Sequence, residues 1–457
     1  MNTYIYRTLS LVALLFICAV SAKAQQPDHT LLTTDADFAR ISQNPSYIPD
    51  HDRVIVGLPF ISQVSLDLRL PVAPSSVLHK DEKGTYLILD RALRSAAGQP
   101  FMTMANADLF TYGEKFGSGF YSIQLGIRAD VAMALPASLA DFVANGNAHY
   151  MGRDHSLGHI PMAHRRYVQL AIGYANDRIL KRRNLRIGGR LKLLTMASGA
   201  FSDGGDFVFR TDEQGRTLAL SGTQHYVVNS PKKLRVNSEG DVDLGALGRD
   251  MLHDKSFSNY GLGMDLGAEY RLDRHWSFGL SITDLGFIRW NGKNLKSVEL
   301  DLSGDKALEF KGVDFSNALI NKNQGKDPSL DALIRQLESA VTARDAERSY
   351  FSSLYTRLGA TAEYTPTDPV KIKALVGGAW VSGLFHYEAA LSSSYRPARF
   401  FTMAASVSSM KSTPFSLGGA VILGDGFQTI FAVDNLLVLD YTGVRRAAVR
   451  LGISLRF

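Results

Sequence analysis

The sequence predicts an all-β chain: a transmembrane antiparallel β-barrel of about fourteen strands with an N-terminal plug segment and helix-bearing outer loops. Three observations predict it. Long segments alternate apolar and polar residues with a period of two, as strands do when they separate two environments. Short and long connections follow one another in regular order, as in outer-membrane barrels. The last strand ends on the apolar-faced aromatic Phe457. Composition agrees: Phe and Tyr together number 42 against 3 Trp, Gly reaches 40, and the 45% hydrophobic share is too high for disorder. Past the N-terminus there is no apolar run near the roughly 20 residues that a spanning helix needs.

The first element, residues 1–24, reads as a secretory signal. Arg7 gives the basic start, Leu9 to Val20 the apolar run, and Ala22-Lys23-Ala24 the cleavage site, so the mature chain begins at Gln25. Cys18 is the only cysteine and lies in that run, so no disulfide is available to the mature protein. Bulky Phe16-Ile17 before it argue against lipidation. Loss of Arg7 and Lys23 lowers the net charge from +6 to +4, which gives no case for a nucleic-acid partner.

Residues 25–53 carry no strand pattern. They either hang in the periplasm or plug the lumen. Leu31, Leu32, Phe38 and Ile41 need burial, which favours the plug, with Asn44, Pro45 and Ser46 as its hatch turn.

The barrel is expected over 54–457. Its fourteen segments are about 54–70, 103–113, 119–135, 164–176, 184–197, 259–272, 274–288, 350–364, 370–382, 385–395, 399–409, 414–423, 427–436 and 444–457. Most exceed the usual 5–6 residues of globular strands. Thr365 to Pro369 and Gly424-Asp425-Gly426 are turn chemistry on the short-link side. The long links fall at 71–102, 136–163, 198–258 and 289–349. Two of them hold helical spacing: Leu330 to about Arg348 after an Asp327-Pro328 start, and Ala137 to Val143. Such a helix would lie as a lid on the mouth or dock a partner. In the last segment Ala447, Val449, Leu451, Ile453, Leu455 and Phe457 face one side, while Arg450 and Arg456 face the other. Leu266 and Ile453 should meet lipid. Gly267 and Ser454 should face the lumen and tolerate small polar replacements.

Three stretches carry a family resemblance: Asn44-Pro45-Ser46, Gly263 to Trp290 (GMDLGAEYRLDRHWSFGLSITDLGFIRW) and Phe431 to Leu436 (FAVDNL). The chain resembles the long-chain fatty-acid transporter superfamily of barrels, and an uncharacterised branch related to the type IX secretion barrels. The resemblance implies fourteen strands, an N-terminal hatch, and paired central strands ending in an Asp-Leu-Gly turn. Terminal Phe457 resembles the signal by which the barrel assembly machinery recognises its substrates.

Few constellations carry chemistry. His149, His155, His159 and His164 crowd one outer link and are candidate metal ligands, but their spacing matches no strong motif. Asp154-His155 resembles half of a protease pair. His386 with Ser392 or Ser394 offers a serine hydrolase pair, yet His386 and Ser392 lie about 20 Å apart along a strand. No phosphate loop or nucleophile elbow is present. The inward set is the better clue. Arg128, Asp130, Arg186, Arg190, Lys192, Asp265, Glu269, Arg271, Arg357, Glu363, Lys371, Lys373, Arg450 and Arg456 should line the lumen, ten bases to four acids. They either form a salt-bridged interior or line a path for polar or anionic solutes. The expectation is a monomeric outer-membrane conduit for small apolar or anionic solutes, without enzymatic activity or cofactor. Its partners would be outer-membrane lipid and the assembly machinery. A subunit of a type IX secretion-related assembly, with a secretion-system partner, and an outer-membrane hydrolase are the alternatives.

Overall fold

The computed structural model describes residues 29–34, 38–50, 52–59, 62–73, 78–81, 84–87, 96, 100–134, 136–138, 150–178, 184–215, 217–230, 257–310, 339–346, 348–381, 384–411, 413–436 and 445–457. The signal segment, Cys18, His149, most of Ala137 to Val143 and the helical pattern up to residue 338 lie outside them.

Fourteen antiparallel strands close a barrel. They are β1 (Val54–Gly57 and Gln63–Arg69), β2 (Pro100–Phe116), β3 (Gly119–Ala134), β4 (Met162–Asn176), β5 (Leu185–Thr211), β6 (Tyr260–Arg271), β7 (Trp276–Trp290), β8 (Tyr350–Ser353 and Arg357–Thr367), β9 (Val370–Val381), β10 (Leu384–Ala398), β11 (Phe401–Met410), β12 (Thr413–Leu423), β13 (Phe427–Val433) and β14 (Arg446–Arg456). Each pairs with the next, and β14 pairs back onto β1, with Val56 opposite Leu455 and Leu66 opposite Val449. Closure leaves no exposed edge around the wall.

The alternation decides which way side chains point. Leu266, Leu280, Val376, Leu391 and Leu451 are 44–66% exposed on the outer face, while Asp265, Lys192 and Ser392 are fully buried on the inner one. Aromatic residues collect on the outer face near both ends: Tyr121, Tyr174, Trp276, Tyr395 and Phe427 near one end, and Tyr260, Phe287, Phe351, Trp380 and Phe385 near the other. From Trp276 to Phe287 along tilted β7 is roughly 25–30 Å, about the height of the apolar band of a membrane barrel. At the turn joining β6 to β7, Asp273 accepts the backbone N–H groups of Trp276 (2.8 Å) and His275 (2.7 Å). These hydrogen bonds hold its carboxyl below the usual range.

The structure corrects four readings. β1 is broken: Leu58 N–H donates to Ile453 O (3.3 Å) and Ile453 N–H to Ser62 O (3.0 Å), so the five residues 58–62 stand against one on β14. Pro59 has no N–H to give the ladder. The Asp-Leu-Gly stretch is no turn. Asp284 takes a φ of 56° inside β7, where the pairing with β6 slips between Met264 and Leu266. This is a bulge, and Asp265 accepts the freed Asp284 N–H at 2.8 Å. The expected helix up to Arg348 gives way to a strand, Val341–Asp345, paired with Leu295–Asp301. Its β-branched Val341 and Thr342 suit that partner better than a helix end. Finally, β5 runs on past residue 197 to Thr211 and pairs with Leu218–Asn229, which pairs in turn with Leu295–Asp301. The barrel wall thus continues outward as a small sheet. At its base Trp290, Ile288, Phe201, Leu194 and Tyr167 pack together as an apolar cluster.

Candidate functional site

Residues 29–34 and 38–48 pack against the inner face of the wall. His29–Leu31 forms one 3-10 turn with every residue buried. Its free N–H groups, on His29 (3.1 Å) and Thr30 (3.0 Å), donate to the carboxylate of Asp434 just past β13, as does the Thr30 hydroxyl (2.6 Å). Arg446 fixes that carboxylate from β14 at 3.1 Å while holding Asp67 of β1 at 2.7 Å. Thr30 also meets the Ser406 hydroxyl at 2.9 Å, and a Cβ at Gly418 would overlap its Oγ1. Leu31 is sealed among the small inward residues Ala404, Ala420 and Ala432, with Ile422 and Ile430.

A second anchor follows in α1 (Ala39–Gln43). Arg40 donates to Glu363 at 2.9 Å, which also takes Lys373 at 2.9 Å, and Ser42 accepts from Arg190 at 3.1 Å. Phe38, Ile41, Tyr47 and Ile48 pack on Ile55, Phe120 and Ala175 of the wall. Beyond α1 the Asn44 side-chain carbonyl accepts the Ser46 N–H (3.0 Å) and hydroxyl (2.7 Å), closing a tight turn. The wall is cut away to admit this turn. A Cβ at Gly267 would overlap Asn44 Oδ1, and one at Gly188 would overlap the Pro45 carbonyl. Gly267 does face the lumen, but it has no room for the polar replacement the alternation allowed.

The inward charged set forms two groups. On the β2–β7 side Arg128 binds Asp108 (2.6 Å), Gln124 donates to the same carboxylate (2.7 Å) and accepts from Arg190 (2.8 Å). Arg190 reaches Asp265 at 3.4 Å, and Lys192 sits between Asp265 and Asp284 at 2.6 Å from each. Asp130 takes Arg165 at 2.9 Å. Arg186 bridges Glu269 (3.4 Å) and Asp50 (3.2 Å). On the other side Glu388 lies 3.5 Å from His29 and 3.9 Å from Arg357. Arg450 is buried, Lys371 half-buried, and Arg456 meets Asp52 at 2.8 Å. Arg271 lies at the rim, half exposed, near Asp50. The alternation missed Asp67, Asp108, Asp284, Glu388 and Asp434, which face inward with Arg69, Arg165 and Arg446. The basic excess read from the sequence therefore narrows. Asp284 was hidden by its bulge, whereas Asp434 has the inward parity of the expected segment 427–436 and was simply passed over.

Little space remains. A cavity of about 50 Å³ lies beside Arg40, Tyr47, Glu269, Arg357 and Lys373, and one of about 20 Å³ beside Met102, Met104, Arg165, His386 and Met410. One water needs roughly 10–15 Å³ on this measure, so the first space suits a few waters and the second one or two.

The other candidates are scattered. His164 is buried in the wall, His159 is exposed, and the His155 ring lies tilted by 36° against Tyr150, centroids 4.1 Å apart. No cluster of three metal-ligating side chains occurs among the described residues. Asp154 pairs with Arg210 at 2.6 Å, whose hydrogen bond lowers the Asp154 pKa. Ser392 donates to Thr30 O (3.3 Å) and meets the Thr33 hydroxyl (3.3 Å); Ser394 donates to Thr33 O (3.4 Å). Both serines thus hold the N-terminal segment.

A family profile described as a family of unknown function (DUF5723) matches residues 45–434. No curated protein matches the chain. Among solved structures it is similar to the P. putida toluene transporter TodX, at 10% identity and a TM-score of 0.42, covering 96% of this chain and 99% of that one. It is also similar to the Ralstonia pickettii toluene transporter TbuX, at 11% and 0.43, covering 92% and 93%. A Pseudomonas aeruginosa FadL homologue gives 10% and 0.42, covering 95% and 98%.

Proposed function

Since the chain belongs to the family of unknown function DUF5723, whose description names no activity, we propose from its own geometry that it is a gated outer-membrane conduit for small solutes, closed by residues 29–48. One observation carries this reading. The wall and the segment are fitted to each other, by glycines where Asn44 and Pro45 approach and by Asp434, Glu363 and Ser392 where polar groups meet. A barrel whose only task was to stand in the membrane would gain the same rigidity from its own side chains. The apolar outer face and its two aromatic belts support membrane placement.

The anchors, polar and apolar, are made by side chains and by the segment's own backbone and use none of the strand pairing, so the segment can leave without unmaking the strand ladder. The solute is small, and either apolar or anionic. Met102, Met104 and Met410 beside one cavity favour the former, and the remaining inward guanidiniums the latter. The test is conductance. Deleting residues 28–50 should raise single-channel conductance in planar bilayers several-fold while leaving insertion intact. Unchanged conductance would mean that the segment does not gate the lumen.

A further inference from the structure

The cavity beside the methionines gathers donors that a conduit does not need. It lies at the end of the barrel remote from Phe457: Met102 of β2 stands opposite Arg69, and Arg69 opposite Arg446, the first residue of β14. Met102, Met104 and His386 line it with Met410, the last residue of β11. None of the four is more than 8% exposed. The strand pairing brings them to one place. His386 stands opposite Ala379 of β9, and Ala379 clusters with Met102 and Met104. Met410 stands opposite Glu388, which shares the inner face of β10 with His386. Three thioethers and one imidazole thus border a space of about 20 Å³, too small for an organic solute and large enough for one ion.

Packing alone does not account for them. Methionine is a flexible filler of core gaps, yet a gap remains beside three of them. Buried polar side chains normally find hydrogen-bond partners, but the His386 ring has none among the described residues. The acids at hand are already committed. Arg69, Arg165 and Arg357 of the lining meet Asp67 (3.3 Å), Asp130 (2.9 Å) and Glu388 (3.9 Å), and Lys192 holds Asp284 at 2.6 Å. No three His, Cys, Asp or Glu side chains meet as a metal site among the described residues, so zinc and the oxygen-seeking cations have no donor set there. Thioether sulfur with imidazole is instead the donor set of a soft ion.

We propose that this cavity binds Cu(I), held by the sulfurs of Met102, Met104 and Met410 and by the His386 imidazole. Neutral donors and paired guanidiniums suit one positive charge better than two. None of the four donors belongs to the N-terminal segment, so the site stands or falls apart from the gating proposal.

The experiment is an anaerobic titration of the untagged, full mature barrel with Cu(I) under ascorbate, in competition with the chromogenic chelator bicinchoninate. Wild type should take up Cu(I) in equimolar amount. Met102→Leu/Met104→Leu keeps the packing volume and should bind at least tenfold more weakly, as should Met410→Leu and His386→Phe. Met264→Leu/Met403→Leu, on the exposed outer face, should bind as wild type does. Heat-modified gel mobility reports barrel closure in each variant, so that a loss of binding is read in folded protein. Excess Zn(II) should leave the bound Cu(I) in place. Absence of stoichiometric uptake, full binding in Met410→Leu or His386→Phe, equal weakening in the outer-face control, or displacement by Zn(II) overturns the proposal.

Discussion

Neighbouring residues on one strand answer to different partners. Leu266 is 44% exposed on the outer face, and Gly267 beside it is buried against Asn44. Leu266→Arg should destabilise the barrel by roughly 2–4 kcal/mol near mid-membrane, read as a shift in the urea midpoint of refolding into lipid vesicles. Gly267→Val should act through the segment instead. The added side chain takes the space of Asn44 Oδ1, so single-channel conductance should rise. In a chain already lacking residues 28–50 the same substitution should leave conductance unchanged. A similar rise in both backgrounds would mean that Gly267 matters to the wall alone. The period of two told which face Gly267 occupies. It was silent on what stands opposite, because that is fixed by a segment more than two hundred residues earlier in the chain.

At the scale of elements, every one of the fourteen strands was legible, because alternation is local and each wall strand separates an apolar outer face from a polar interior. The interruptions were not. The break after Gly57 and the bulge at Asp284 leave the hydrophobic pattern nearly intact while shifting the pairing. Val341–Asp345 escaped because the outer sheet lies beyond the closed wall, where a strict apolar face is no longer required. The 3-10 turn His29–Leu31 was equally silent: three residues carry no period. Only the need to bury Leu31 pointed inward. That turn makes a direct test. Thr30 and Ser406 meet at 2.9 Å through their hydroxyls, so cysteines at the two positions would set two thiols side by side. With the signal segment removed, a Thr30→Cys/Ser406→Cys chain has no competing thiol. Oxidised, it should show no solute flux in liposome swelling; reduced, it should recover wild-type flux. Full flux in the oxidised form would place the path elsewhere.

For the whole molecule, the closing seam is the decisive contact. Phe457 N–H donates to Val54 O (2.9 Å), and Phe457 O accepts from Arg53 (2.8 Å) and Val54 (2.9 Å), while its ring stays 70% exposed. Deleting Phe457 removes these three hydrogen bonds and the aromatic tip together. Outer-membrane levels should fall, and precursor should become sensitive to periplasmic proteases; normal levels would show that the residue is dispensable for assembly. The fit between Asn44-Pro45 and the glycines of β5 and β6 reaches further, into heredity. The two surfaces are encoded far apart, yet neither is free to drift alone: a larger residue at 188 or 267 needs a different turn at 44–46. Segment and wall should therefore be exchangeable only as a matched pair, and a chimaera that joins this barrel to another barrel's N-terminal segment should leak even when both parents are tight.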